Sequence, residues 1–298
     1  MGGRGSRLIS KILCGALTRW GDSLSQDEKR ILRDRLSALC DLDCTAYGIK
    51  LYADSYLERD TRAKSCAKEP MTVRWIQSEL RSGDVLYDVG ANVGPYSLIA
   101  AKVGAGTATV YAIEPGFQNF HQLCRNILLN GCEDCIVPLP IPLCERTRLD
   151  LFHYHSLDVG GALHSFSRAI DYKAESFEPR ASFGSLGISL DDLVRIPGVA
   201  RPTLMKIDVD GLEVDVLRGG RDVLRNEGLR SMVIEINEDL EDAASAILSL
   251  LHDAGLVPVE KQKLHRALHN YIVRRETRGA RPRAPADVPL ASERRSGS

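Results

Sequence analysis

Along the middle of the chain, short apolar runs of strand length alternate with longer stretches whose apolar residues recur at helical spacing. The first run, "VLYDVG" at 85–90, predicts a strand, and "PYSLIAAKV" at 95–103, closed by Gly104, predicts a helix. A second strand is expected at "ATVYAIEP" (108–115) and a second helix at "FQNFHQLCRNILLN" (117–130), closed by Gly131. A third strand falls near "CIVPLP" (135–140), where two prolines weaken the pattern. After a long intervening section come a strand at "TLMKIDVD" (203–210), a helix at 212–218 ended by Gly219-Gly220, a strand at "SMVIEIN" (231–237) and a helix over about 239–254. Apolar strands separated by amphipathic helices predict an α/β fold, a doubly wound and mostly parallel sheet covered on both faces. Ligands of such sheets bind outside the carboxyl ends of the strands.

The ends of the chain differ from this body. The 298 residues carry a formal net charge of −1, yet residues 1–21 hold +4 and residues 274–298 another +4, which leaves −9 between them. Residues 1–70 read as a basic segment followed by a helical extension, with Ile31, Leu32, Leu36 and Leu39 at helical spacing. Residues 71–275 read as the main domain, with an insertion at 145–190, and residues 276–298 as a disordered Arg/Pro-rich tail. The longest early apolar run, "LISKILCGAL", is broken by Lys11 and is too short for a membrane span. The basic ends leave room for a peripheral contact with a membrane surface or polyanion. Eight cysteines at irregular spacing include a single CxxC, Cys132 and Cys135, and read as reduced thiols rather than a metal site. That usage points to the cytoplasm, and the acidic body speaks against nucleic acid as a partner.

Candidate chemistry begins at the first strand end. Asp88 closes the strand, Gly90 and Gly94 allow a sharp turn and close ligand approach, and Pro95 opens the helix where its missing N–H is harmless. A dinucleotide site needs G-x-G-x-x-G, whereas the spacing here is G-x-x-x-G with a carboxylate two residues ahead. Such an acid repels a pyrophosphate and suits a cationic amino-acid moiety, as in S-adenosylmethionine. Glu114, at the end of the second strand, is placed to accept hydrogen bonds from ribose hydroxyls.

"DVGANVGPYSLIAA", "AIEPGFQNFHQLCRNILLN", "ISLDDLV" and "LMKIDVDGLEVDVLRGG", followed by "VIEIN", together resemble the FkbM family of S-adenosylmethionine-dependent methyltransferases over about residues 72–240. The resemblance implies the seven-stranded, Rossmann-like class I methyltransferase fold and transfer to a hydroxyl of a sugar, glycan precursor or secondary metabolite. It also implies that Asp88, Gly90, Asn92 and Gly94 line the methionine end of the cofactor and Glu114 the ribose. Two departures stand out. Members often read Asp-x-Glu-Gly where this chain has Asp208-Val209-Asp210-Gly211, and a small polar turn near the adenine where it has "LPIPLCE".

Lys206, Asp208 and Asp210 alternate on the expected strand and so share a face, an expensive arrangement to bury unless it serves a site. Asp208 falls where the cofactor's methyl group should point, and can orient the acceptor hydroxyl or take its proton, with Lys206 as its charge partner. Asp210 reads equally well as the cap of the next helix. In the insertion, "HYHSLDVGGALHSFS" offers His164 as a candidate base or acceptor-binding residue, with His153 and His155 on one face of a strand. No metal site is expected. The alternatives are a non-catalytic partner subunit with a methyltransferase fold and, against the missing G-x-G-x-x-G, a nicotinamide-dependent oxidoreductase.

Overall fold

The computed structural model describes residues 39–276 continuously, with residues 24, 25 and 28 ahead of them. Strands β1 (Leu39–Asp41) and β2 (Lys50–Tyr52) form an antiparallel hairpin, followed by a short helix at Tyr56–Asp60. Leu39 therefore stands in a strand rather than a helix, while Ile31, Leu32 and Leu36 lie outside the described residues. The physical reason is docking. The backbone N–H groups of Lys50 and Tyr52 donate to the side chains of Asn130 and Asn126, 3.0 and 2.9 Å away on and just beyond the Phe117–Leu129 helix. Tertiary partners of that kind override local helix periodicity.

The main sheet holds β3 (Val85–Val89), β4 (Thr109–Ile113), β5 (Ile136–Leu139), β9 (Leu204–Ile207), β10 (Ser231–Asn237), β11 (Leu256–His265) and β12 (Leu268–Arg275), in the order β11-β12-β10-β9-β3-β4-β5. Between β5 and β9 the insertion forms a separate antiparallel sheet of β6 (Arg148–Tyr154), β7 (Ser165–Phe166) and β8 (Ala181–Gly187). Five neighbours from β10 to β5 run parallel, and only β12 is antiparallel to its flanking strands. This is the doubly wound, seven-stranded sheet that the resemblance implied. The prolines of "CIVPLP" find their explanation here, because β5 is an edge strand and Pro138 has no outer neighbour to which it would donate.

Strand alternation assigns each residue to a layer. Leu86, Leu204 and Val233 face a core with Trp75, Leu98, Ile99 and Leu123 from the Pro70–Glu79, Pro95–Val103 and Phe117–Leu129 helices. Tyr87, Val89, Met205 and Ile234 face the opposite core, with Leu190, Val216, Leu217 and Leu251. Asp88 and Lys206, in register across β3 and β9, belong to the first layer. The hairpin β11–β12, unannounced by the apolar pattern, closes the sheet where charged and apolar residues alternate with one face open to solvent. No helix among the described residues is long and apolar enough to cross a membrane.

Candidate active site

The loop after β3 is shaped by backbone, not side chains. Gly90 has φ +84°, and its N–H and that of Ala91 both donate to Ile113 O at 3.0 Å, which folds the turn onto the end of β4. A Cβ on Gly90 would lie 1.8 Å from the backbone oxygen of Asp208, so only glycine lets the ends of β3 and β9 come this close. Gly94, at φ +94°, caps the Pro95–Val103 helix. Gly90→Ala is therefore expected to lower the thermal unfolding midpoint by several degrees, since the strain and the displaced Asp208 cost about 1–3 kcal/mol. An unchanged midpoint in a calorimetric scan would show that the turn tolerates a side chain.

Outside the strand ends lies an open cleft. Of the residues singled out in the sequence, Gly90, Asn92, Glu114, His164, Asp208 and Asp210 line it, whereas Asp88, Gly94 and Lys206 do not. Asp88 is fully buried beneath the floor, where Ser97 Oγ donates to its Oδ2 at 2.6 Å and Lys206 Nζ stands 3.8 Å from Oδ1. Burial pushes the Asp88 carboxyl up, offset in part by Lys206 and Ser97. Lys206 donates to Asp208 Oδ2 at 3.1 Å and lies over the ring of Tyr96. Burial also raises Asp208, but Lys206 and Lys68 outweigh it and hold this carboxyl below its ordinary range. Asp208 thus stays ionised, anchored on one side and about a quarter exposed on the other.

Glu114 is nearly buried, and its two oxygens accept the N–H groups of Gly116 (2.8 Å) and Asn92 (2.9 Å). Burial pushes its carboxyl up to about 7 against the pull of those N–H groups. "LPIPLCE" supplies Ile141, Pro142 and Leu143, an apolar wall for a flat aromatic base.

The expected alternation of Lys206, Asp208 and Asp210 fails beyond Asp208. β9 ends at Ile207 and Asp210 takes φ +55°, which turns its side chain to accept the Leu163 N–H at 2.7 Å. Asp210 does not cap the following helix. The Glu213 carboxylate bonds the Val209 and Gly211 N–H groups ahead of that helix instead.

His164 accepts the His155 N–H on Nδ1 at 3.2 Å, which leaves the ring proton on Nε2. Burial, with His155 and Arg62 nearby, lowers its pKa to about 4. His153 instead pairs with Ser182 Oγ at 2.8 Å, and His155 packs on Phe177, away from the cleft.

Several residues that shape the rim of the cleft were not singled out from the sequence. The insertion crosses the cleft as a strap, and Gly161 O accepts from both Asn92 Nδ2 (2.8 Å) and Asn119 Nδ2 (3.0 Å). Arg62 ties the helical extension to the strap through Gly160 O at 3.0 Å. Asn119, Gln122 and Asn126 form a fully buried polar stripe on an amphipathic helix, a signal that was available in the spacing. Arg62 carried no such signal.

Residues 88–257 match the model of the methyltransferase FkbM domain. The hexuronic acid methyltransferase AglP of Haloferax volcanii is 27% identical over 220 residues, 74% of this chain and 82% of that protein. The 31-O-demethyl-FK506 methyltransferase FkbM of Streptomyces tacrolimicus is 29% identical over 202 residues, 62% of this chain and 76% of that one. The crystal structure of a methyltransferase FkbM from Methylobacillus flagellatus aligns with a TM-score of 0.43 and 18% identity, covering 66% of this chain and 45% of that one. With more than half of its length matched by that one domain model, the chain belongs to the methyltransferase FkbM family.

Proposed function

We propose that this methyltransferase makes an O-methyl ether on a hydroxyl of a sugar, glycan precursor or secondary metabolite. The observation that carries the reading is Asp208, an ionised carboxylate at a strand end, open to the cleft on one side and held on the other by a fully buried lysine. The names of the two relatives speak of a hexuronic acid and of 31-O-demethyl-FK506, and an oxygen acceptor is the element carried over.

The cofactor is S-adenosylmethionine, and the cleft fits it. Glu114 retains free lone pairs for ribose hydroxyls, the apolar wall at 141–143 suits adenine, and Asp208 suits a cationic methionine end. When bound, S-adenosylmethionine supplies an electrophilic methyl group on a sulfonium. Asp208 orients the acceptor hydroxyl and takes its proton as the oxygen attacks. Lys206 keeps Asp208 ionised and aimed. His164 donates from Nε2 and has no part as base. Asp88 acts from below, by positioning Lys206.

The test is methyl transfer from tritium-labelled S-adenosylmethionine to a panel of glycosides. The expected label is an ether that survives mild alkali. Label released by alkali marks a carboxyl ester and overturns the hydroxyl reading.

A pH dependence follows from Glu114. Ribose hydroxyls bond the carboxylate more strongly than the neutral acid, so binding favours the ionised form and releases a proton. Affinity for S-adenosylhomocysteine is therefore expected to rise with pH up to about 7, where this carboxyl titrates, and then to level off. Calorimetry at pH 6 and pH 8 should give about a tenfold difference at most for one proton, flattened in Glu114→Gln. An equal slope in the variant removes Glu114 from the ribose.

A further inference from the structure

The cleft lining suits cations and offers an anion no countercharge. It holds Glu114, Asp208 and Asp210 and no lysine or arginine among the described residues. His164, with its pKa lowered to about 4, is neutral at ordinary pH. The amino-acid end of S-adenosylmethionine, however, carries an α-carboxylate as well as its ammonium and sulfonium. A carboxylate set among acids costs binding unless a cation meets it.

The chain supplies such a cation from outside the matched domain. Arg62 precedes residues 88–257 and opens a short 3₁₀ turn (Arg62–Lys64) in the extension. Ser65 Oγ donates to its carbonyl at 2.8 Å, and its own Nε donates to Gly160 O at 3.0 Å. The next strap residue, Gly161, lines the cleft. The guanidinium is thus tethered one residue from the cleft through Nε, which leaves both terminal NH₂ groups unspent. Among the described residues those groups donate to no acceptor and pair with no carboxylate. Beneath the larger effect of burial, the Arg62 charge nevertheless acts on Glu114, His164, Asp208 and Asp210, all of which line the cleft. The neighbouring cations are committed elsewhere. Lys206 is held by Asp208 at 3.1 Å, Lys68 by Glu69 at 3.4 Å and Lys64 by Asp60 at 3.0 Å. A guanidinium that acts on four groups of a site and bonds to none of them keeps its fork open for a planar anion, and a carboxylate matches that fork with two hydrogen bonds.

We propose that Arg62 binds the α-carboxylate of S-adenosylmethionine while the acids of the cleft receive its cationic groups, so that the extension and the strap complete the cofactor site. The inference rests on the cofactor assignment and is independent of the acceptor. The experiment compares two ligands on the full chain by calorimetric titration, S-adenosylhomocysteine and its decarboxylated analogue, which keeps the amine and lacks only the carboxylate. The wild type should bind S-adenosylhomocysteine about ten- to a hundredfold more tightly, the worth of hydrogen bonds between charged partners. Arg62→Gln should abolish that preference. Its affinity for S-adenosylhomocysteine should fall by the same factor, while its affinity for the decarboxylated analogue stays within about threefold. Arg62→Met should behave alike. Equal affinity of the wild type for the two ligands overturns the proposal without recourse to a variant. A parallel loss of both ligands in the variants also overturns it, and marks Arg62 as an anchor of the strap through Gly160. Unchanged affinity for S-adenosylhomocysteine in the variants overturns it as well, and passes the open guanidinium to an anionic group of the acceptor. A wild type that binds neither ligand contradicts the cofactor assignment itself, and with it the role of Arg62.

Discussion

Asp208→Asn is expected to lower turnover by about 10²–10⁴-fold, the usual worth of a positioned general base, while leaving the affinity for S-adenosylhomocysteine within about threefold. The contrast follows from where the carboxylate stands. Its backbone N–H donates to Val89 O at 3.1 Å and its carbonyl packs against Gly90, so the loop is held by main-chain contacts that asparagine keeps. An asparagine oxygen can still accept from Lys206 Nζ, now 3.1 Å from Oδ2, so the buried cation retains a partner. What disappears is the negative charge and the capacity to take a proton, both needed only as the acceptor oxygen attacks. Interactions made only in the transition state appear in turnover rather than in ground-state binding. The measurement is a pair, calorimetric titration with S-adenosylhomocysteine and single-turnover methyl transfer to a responsive glycoside. Near-normal turnover in the variant would remove Asp208 from the chemistry. A parallel loss of cofactor affinity would reassign it to the methionine end.

The strand-helix alternation from 85 to 254 could be read because fully buried parallel strands are continuous apolar runs, as β9 is at every position. The terminal hairpins could not be read that way. β1–β2 is held by Asn126 and Asn130 from 74 and 80 residues further on, and no local pattern encodes such partners. β11 exposes most of its residues, so its alternation resembles a polar loop. Within the site the local motifs carried Gly90, Asn92, Glu114 and Asp208, because a glycine turn and strand-end acids are properties of a few consecutive residues. Three kinds of detail escaped. The layer facing of Asp88 depends on its register with Lys206 across strands. The turn of Asp210 depends on a left-handed backbone that breaks the period of two. The strap depends on Arg62 and Asn119 meeting Gly160 and Gly161 from 98 and 42 residues away.

Lys206→Met is expected to destabilise the protein by about 3–5 kcal/mol, the cost of removing one member of a buried ion pair. Methionine matches the length of the lysine stem and can keep its packing on Tyr96, so the loss is one of charge and not of volume. Asp88 is the group left stranded. Among the described residues its Oδ1 accepts no hydrogen bond, Ser97 serves only Oδ2, and Lys206 Nζ at 3.8 Å is its one opposing charge within salt-bridge range. Asp208, which Lys206 holds ionised, loses its largest stabilising charge at the same time. For a domain of this size the unfolding midpoint should fall by roughly ten degrees. The pH dependence gives the sign. Without the cation both carboxyls have folded pKa values above their unfolded ones, so the native state binds more protons than the unfolded chain. The deficit relative to wild type is therefore smallest near pH 4 and widens as pH rises through the raised pKa values. Adding Asp88→Asn to Lys206→Met should recover part of the midpoint at pH 8 and little at pH 4, which isolates the stranded charge from any packing defect. A midpoint within two degrees of wild type at pH 8 would mean that water or a neighbouring side chain already satisfies Asp88. In that case Lys206 serves Asp208 alone, and its substitution should cost turnover without costing the fold.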